Sequence, residues 1–165
     1  MKFRQILTHW RVSSWQVRQK FGHRTLAAIE QAITASEKLH RGELRFVIEG
    51  RLSLLDLFRE VSSRQRARQL FEKVGAGETA ERSGILIYVL LAERQVEIVA
   101  DSGITAKVPQ VEWDALCQRM TRAFAAGRYR EGALDGINGA TDLLVAHFPA
   151  TSSNPNELDD VPLIL

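Results

Sequence analysis

The 165-residue sequence has little cysteine and no long apolar run. Its one cysteine, Cys117, excludes an intramolecular disulfide and a metal site built from several thiolates. The longest apolar stretch, residues 85–92, has about half of the roughly 18 residues that a membrane-spanning helix needs. The first residues also lack the apolar core and the cleavage site of a secretory signal. Together these absences predict a soluble, cytoplasmic protein.

Motifs of familiar catalytic chemistries are missing as well. No two histidines stand in HxH or HxxxH spacing, which argues against a zinc site. No GxxxxGK loop could cradle a phosphate, and no GxSxG turn could expose a serine nucleophile. Cys117 falls on the expected inner face of a helix, where a buried and unreactive thiol is the expectation. The sequence therefore does not disclose a reaction.

Composition is that of an ordinary globular domain, with 45% apolar and 25% charged residues. The net charge of +2 is unevenly distributed. Residues 1–24 hold six basic residues and no acidic one, so these six charges leave −4 on residues 25–165. Because the basic residues do not continue as a cluster beyond this segment, nucleic-acid binding is disfavoured. A basic leading segment on an acidic body suggests that the two parts face different surroundings.

The basic segment also carries apolar residues at spacings of three, four and seven: Phe3, Ile6, Leu7, Trp10, Val17 and Phe21. This period predicts an amphipathic helix over residues 1–24. The helix could dock on the domain, or it could meet an anionic membrane surface or a partner's groove. Docking is favoured, since a soluble monomer should not expose such a face. The residues expected to contact a protein partner or an anionic surface are Arg4, Trp10, Arg11, Trp15 and Arg18.

Hydrophobic periodicity predicts alternating helices and strands after this segment. A second helix is expected to be capped by Thr25 and to carry Leu39 on its inner face. Further helices are predicted over residues 64–74, where Ser62 and Ser63 can cap the start, and over 111–126 and 129–148, whereas residues 52–61 are ambiguous and could form a short helix. Strands are predicted over 43–49, 85–91 and 96–100, and residues 85–91 are apolar on both faces, which is typical of a central strand. The first two strands are joined through a helix and should be parallel, whereas the last two should form an antiparallel hairpin. The order predicts an α/β sandwich with a small mixed sheet, followed by an acidic, extended tail over residues 150–165.

Three segments resemble the TPM-domain family, which includes a thylakoid-lumen photosystem II repair factor and many bacterial proteins. They are SGILIYVLLAERQVEIVADSGI (residues 83–104), RGELRF (41–46) and FAAGRYREGALDG (124–136). The resemblance covers roughly residues 25–149. It implies an α/β/α sandwich, to which the basic N-terminal helix is an addition. It also implies three roles that stay open: a non-enzymatic binding, assembly or regulatory module, a divalent-cation-dependent acid phosphatase, or a peripheral regulator of a membrane protein.

Members of that family usually carry an asparagine-rich turn before the central strand, but residues 74–84 here read VGAGETAERSG. If that loop holds a cation in relatives, Glu78 and Glu81 remain to bind one. Glu43, Glu49 and Asp101 flank the predicted strands. Carboxylates suit Ca²⁺ or Mg²⁺, so these five acids are the candidate ligands, although solvated acids at strand ends are the simpler interpretation. Glu49 and Asp101 should lie at opposite ends of the sheet.

Overall fold

The structure is a computed structural model that describes residues 14–150 and 156–165. Its helices are α1 (Ser14–Lys20), α2 (His23–Ser36), α3 (Leu54–Phe58), α4 (Ser63–Lys73), α5 (Ser102–Thr105), α6 (Gln110–Ala125) and α7 (Tyr129–His147). Its strands are β1 (Glu43–Glu49), β2 (Gly84–Leu90), β3 (Gln95–Ala100) and β4 (Leu163–Ile164). None of these helices is long and apolar enough to cross a lipid bilayer.

The four strands form one mixed sheet in the order β3-β2-β1-β4. β1 and β2 are parallel, with Glu43 opposite Gly84 and Glu49 opposite Leu90. β2 and β3 are antiparallel because only four residues connect them. The predicted mixed sheet, with a helix-connected parallel pair and a hairpin, is confirmed.

Helices cover both faces of the sheet. Phe46 and Ile87 point into the larger core, which α2, α6 and α7 enclose with the buried residues of α1. Their neighbours Val47 and Tyr88 point the other way, into a smaller core under α4. α4 packs chiefly on β2 and β3. The molecule is therefore an α/β/α sandwich, as the sequence resemblance implied.

A local sequence signal explains the start of α4, whereas two predictions made for α2 are wrong. Ser62 begins α4 with a capping box, in which its hydroxyl accepts from the Gln65 amide and its own amide donates to the Gln65 side chain. The predicted cap at Thr25 is wrong, since α2 begins at His23 after an extended Gly22. Leu39 does not lie on an inner face either. It follows the end of α2 in a turn and is 55% exposed.

Two elements were not predicted. α5 is a four-residue helix whose first turn is capped by Asp101. β4 adds two residues to the free edge of β1, opposite Val47 and Ile48. We call residues 156–165 the tail segment. It contributes β4 to the sheet, although its sequence before residue 161 is acidic and polar.

Candidate functional site

Glu49 is held in a buried hydrogen-bonded group at the end of β1. Its carboxylate accepts hydrogen bonds from Nε and Nη2 of Arg66 on α4, and from the Tyr88 hydroxyl at 2.6 Å. Burial, followed by the bond to this carboxylate, raises the pKa of Tyr88. The hydrogen bonds that Arg66 donates to Glu49 raise the pKa of Arg66. Because this buried carboxylate already accepts from Arg66 and Tyr88, Glu49 joins α4 to the sheet rather than facing a ligand.

Glu43 is buried at the opposite end of β1, beneath the tail segment. One of its carboxylate oxygens accepts hydrogen bonds from the amides of Glu157 and Leu158, both at 3.1 Å. Glu37 lies close by and accepts a hydrogen bond from the Leu44 amide at 3.0 Å. Burial raises the pKa of Glu43, and it raises the pKa of Glu37 to about 9. Both carboxyl groups therefore favour the protonated form more than an exposed acid does.

The other three candidate ligands lie near that same end of the sheet but face different partners. Asp101 caps α5 by accepting from the Ser102 amide, and its Oδ2 is buried without a hydrogen-bond partner among the described residues. Glu81 forms an ion pair with Arg41, with both oxygens at 2.7 Å from Nη1. Glu78 is exposed in the loop before β2. The backbone places Glu49 far from Asp101 along the sheet, since β3 runs antiparallel to β2.

The described residues contain no group of three or more His, Cys, Asp or Glu that could hold a metal ion. Ca²⁺ takes six to eight oxygen ligands, and Mg²⁺ requires six in an octahedron. Asp101 offers one uncommitted buried oxygen, whereas Glu43 and Glu81 already bind protein groups. As arranged here, the candidate acids do not fit such a site, and the cation hypothesis stays a prediction to be tested in solution.

A buried pair of serine and histidine was missed by sequence reasoning. The Ser36 hydroxyl lies 2.7 Å from Nε2 of His40 and 2.7 Å from the hydroxyl of Thr141. Their spacing of four residues was a signal that could have found them. His40 is fully buried, and burial lowers its pKa, so the ring is held neutral. With no exposed face, this pair ties α2 to α7 and cannot reach a substrate.

Cys117 on α6 is half-buried and behaves as a packing residue. Burial, followed by the negative charge of Glu97, raises the pKa of its thiol to about 12. The thiolate that acts as a nucleophile is therefore scarce at neutral pH. This agrees with the interpretation of Cys117 as unreactive.

Part of the predicted partner-binding helix is described. In α1, Val17 is fully buried, while Trp15 is 66% exposed and Arg18 is exposed. Phe21, just after the helix, packs edge-to-face on Phe124 and Tyr129, with ring centroids 5.7 and 5.4 Å away. The remaining predicted contacts, Arg4, Trp10 and Arg11, lie outside the described residues.

Two adjoining clefts open where the end of α1 meets the start of α7. Their volumes are about 560 and about 120 Å³, and both are lined by Lys20, Gly127 and Tyr129. The larger one adds Arg128 and Arg130, and the smaller one adds Arg94. The ammonium group of Lys20 lies 5.4 Å from the centroid of the Tyr129 ring, a cation–π contact. We call this surface, formed by Lys20, Arg94, Arg128, Tyr129 and Arg130, the basic cleft.

The sequence and the fold are similar to known proteins. Residues 20–143 match the family described as TPM domain. The fold is similar to the NMR structure of the BA42 protein from the psychrophilic bacterium Bizionia argentinensis, with a TM-score of 0.74 and 29% identity over 86% of this chain and 93% of that chain. It is also similar to the solution NMR structure of the N-terminal domain of a protein from P. gingivalis, with a TM-score of 0.59 and 19% identity over 79% and 82% of the two chains. The second likeness shows the fold alone. The comparison with curated proteins gave no match.

Proposed function

The chain belongs to the TPM-domain family, and from this premise we propose that it is a non-enzymatic binding or assembly module of the cytoplasm that receives an acidic protein partner. The observation that carries the proposal is the basic cleft. Its basic side chains come from three separate places in the chain, residue 20, residue 94 and residues 128–130, so their gathering depends on the fold rather than on a run of local sequence.

The charge of the basic cleft supports an anionic partner. Lys20 ends α1, Arg94 lies in the β2–β3 turn, and Arg128 precedes α7. Against these and Arg130, the cleft contains one acid, Glu131, which already pairs with Arg128 at 2.9 Å. A concave surface with one sign of charge attracts ligands of the opposite sign and accelerates their association. Tyr129 supplies apolar contact area beside the charges, as binding surfaces commonly do.

The hydrolase alternative has less support. Phosphoryl transfer to a protein group needs a nucleophile that a substrate can reach, with positive charge beside it. Positive charge is present in the basic cleft, but the cleft is lined by no serine, cysteine, histidine or aspartate among the described residues. The buried Ser36 and His40 and the half-buried Cys117 lie elsewhere. Binding is therefore the function that these groups favour.

A charge-reversal pair tests the proposal. The probe is a labelled hexaglutamate peptide, with binding followed by fluorescence anisotropy at about 50 mM and about 150 mM salt. Lys20→Glu with Arg130→Glu should weaken binding at least about tenfold, because four units of charge change inside the cleft. Arg68→Glu with Lys73→Glu is the matched control, since both residues are exposed on α4, which covers the face of the sheet opposite to α7.

The control should change the affinity by about twofold or less, because distant surface charges are largely screened at these salt concentrations. An equal loss of affinity in both variants would show that the peptide responds only to the net charge of the protein. The basic cleft would then not be the binding site. Binding that is undetectable in the wild-type protein at low salt would also contradict the proposal.

A second candidate function, peripheral contact with a membrane or a membrane protein, is favoured by α3. This short helix has no buried residue, and Leu54, Leu55 and Phe58 are 66%, 56% and 67% exposed. Three large apolar side chains on one exposed turn resemble the wedge that interfacial proteins place in a bilayer. Co-sedimentation with phosphatidylserine vesicles tests this, with Leu54→Asp and Phe58→Asp expected to abolish binding. Vesicle binding that survives both changes would exclude α3 as the contact.

A further inference from the structure

The tail segment covers the part of β1 that α4 leaves open. α4 packs chiefly on β2 and β3, so the α4-side face of β1 and its outer edge are left to residues 156–165. Glu43 and Arg45, which point to that face, are only 1% and 9% exposed with the tail segment in place. The tail segment therefore lies along a strip of the domain, which we call the β1 groove.

The β1 groove binds the main chain of the tail segment. Glu43 accepts hydrogen bonds from two successive amides, and Arg45 donates from Nη1 to the carbonyl oxygens of Asp159 and Val161. At the strand edge, the Leu165 amide donates to the Ile48 carbonyl at 2.9 Å. The Leu165 carbonyl in turn accepts from the Gly50 amide at 3.2 Å. Contacts to main-chain atoms do not depend on side-chain identity, so other extended segments could make them.

A few side chains add a sequence preference. Leu158 and Leu163 pack against the smaller core, and Ile164 packs against the larger one. Asp159 lies 3.4 Å from Nη2 of Arg45, and Asp160 accepts a hydrogen bond from the Thr34 hydroxyl. The preferred ligand is thus an extended segment with spaced apolar anchors and an acidic pair between them.

The present occupant leaves part of the groove edge unused. β4 pairs with only two of the seven residues of β1, Val47 and Ile48. Farther along, the Leu44 amide is satisfied by the side chain of Glu37 instead of by a neighbouring strand. A longer strand could form more ladder hydrogen bonds than the tail segment does. The tail segment also lies outside residues 20–143, which match the family.

We propose that the β1 groove is a docking site for an extended, acidic segment of a partner protein, and that the tail segment occupies this site in cis and competes with that partner. The inference goes beyond the basic cleft, since it concerns another surface. A second copy of this chain is a poorer occupant. Its tail segment would make only the contacts already made in cis, whereas a short tether gives the cis tail an effective concentration on the order of millimolar.

The test weakens the tail segment without altering the groove. In the full chain, Leu158→Ser with Leu163→Ser removes the two anchors. Leu54→Ser with Leu55→Ser is the matched control, because these leucines are exposed on α3. The probe is a labelled peptide with the sequence of residues 156–165, followed by fluorescence anisotropy. The tail-weakened variant should bind it at least about tenfold more tightly than the wild-type protein and the control do.

Two further measurements keep the result interpretable. Hydrogen exchange should show faster exchange at Glu157, Leu158 and Leu165 in the tail-weakened variant, while the amides of β2 stay protected. Adding Arg45→Met to that variant should then reduce peptide affinity about tenfold, because two carbonyl contacts are lost. Equal peptide affinity in all proteins, or exposed tail amides without peptide binding, would overturn the proposal. So would a dimer with exchanged tail segments, detected by sedimentation, because the occupant would then be a second copy.

Discussion

The carboxylate of Glu49 accepts two hydrogen bonds from Arg66, at 2.9 Å from Nε and 2.8 Å from Nη2. Removing the arginine would leave a nearly buried carboxylate without its counter-charge. We therefore expect Arg66→Leu to lower the free energy of unfolding by about 3 kcal/mol. Chemical denaturation measures this, with Arg68→Leu, an exposed neighbour on α4, as the control at about 0.5 kcal/mol or less. Equal effects of the two substitutions would show that the ion pair contributes little.

Glu37 makes stability depend on pH. Burial raises its pKa in the folded state from 4.5 to about 9, so the fold favours the protonated form. A raised acid pKa contributes stability that is fully present below about pH 4.5 and is lost as the pH rises through about 9. Glu37→Gln keeps an oxygen acceptor for the Leu44 amide but cannot ionise. Between pH 5 and pH 9 its unfolding free energy should gain more than about 1 kcal/mol relative to the wild-type protein.

The control for this pH series is Glu78→Gln, which changes an exposed carboxylate in the loop before β2. Its unfolding free energy should follow that of the wild-type protein at every pH. If Glu37→Gln also ran parallel to the wild-type protein, the carboxyl group of Glu37 would have to be ionised within the fold.

The sequence predicted what local patterns can encode. The apolar residues on both faces of β2 predicted a central strand, and the short turn after it predicted an antiparallel neighbour. Ser62 predicted the start of α4, and the structure confirms all three. The position of β4 could not be predicted in this way. Its two residues have no strand period, and they pair with Val47 and Ile48, more than a hundred residues earlier.

The basic cleft was only partly predictable for the same reason. The periodic basic segment drew attention to Arg18 and to the helix that ends at Lys20. Arg94 and Arg130 belong to other elements, and no local spacing relates them to that helix. The packing of Phe21 on Tyr129 places Lys20 beside the start of α7, and the fold of the sheet brings Arg94 to the same cleft. The exposed apolar face of α3 was likewise hidden, because Leu54 and Phe58 have helical spacing that normally indicates burial.

Cation binding should be weak or absent. The described candidate acids do not form a cluster that could hold a metal ion, and the loop over residues 74–84 lacks asparagine and aspartate. Isothermal titration calorimetry with CaCl₂ and MgCl₂ should give no dissociation constant tighter than about 1 mM, the weak end of protein calcium sites. A micromolar constant would show that the acids converge in solution. Glu78→Gln, Glu81→Gln and Asp101→Asn would then locate the site.

Phosphate-ester hydrolysis should also be slight. Among the described residues, no serine, cysteine, histidine or aspartate lines the basic cleft, so p-nitrophenyl phosphate should be turned over at the background rate, with or without Mg²⁺ or Ca²⁺. Turnover that persists after repurification and disappears in Glu43→Gln or Asp101→Asn would contradict this expectation and favour the hydrolase alternative.

The basic N-terminal segment should stabilise the domain through its buried residues. Phe21 is fully buried and its ring touches Phe124 and Tyr129, whereas Trp15 in the same segment is 66% exposed. Phe21→Ala should therefore lower the free energy of unfolding by about 3 kcal/mol, because it removes a core ring, while Trp15→Ala should lower it by about 0.5 kcal/mol or less.

Deleting residues 1–21 should lower Tm by several degrees. If the deletion left Tm unchanged and abolished binding to phosphatidylserine vesicles, the segment would serve a membrane surface instead. If the deletion lowered stability and left vesicle binding unchanged, the segment would belong to the fold. The apolar face that buries Val17 and Phe21 cannot insert in a bilayer at the same time.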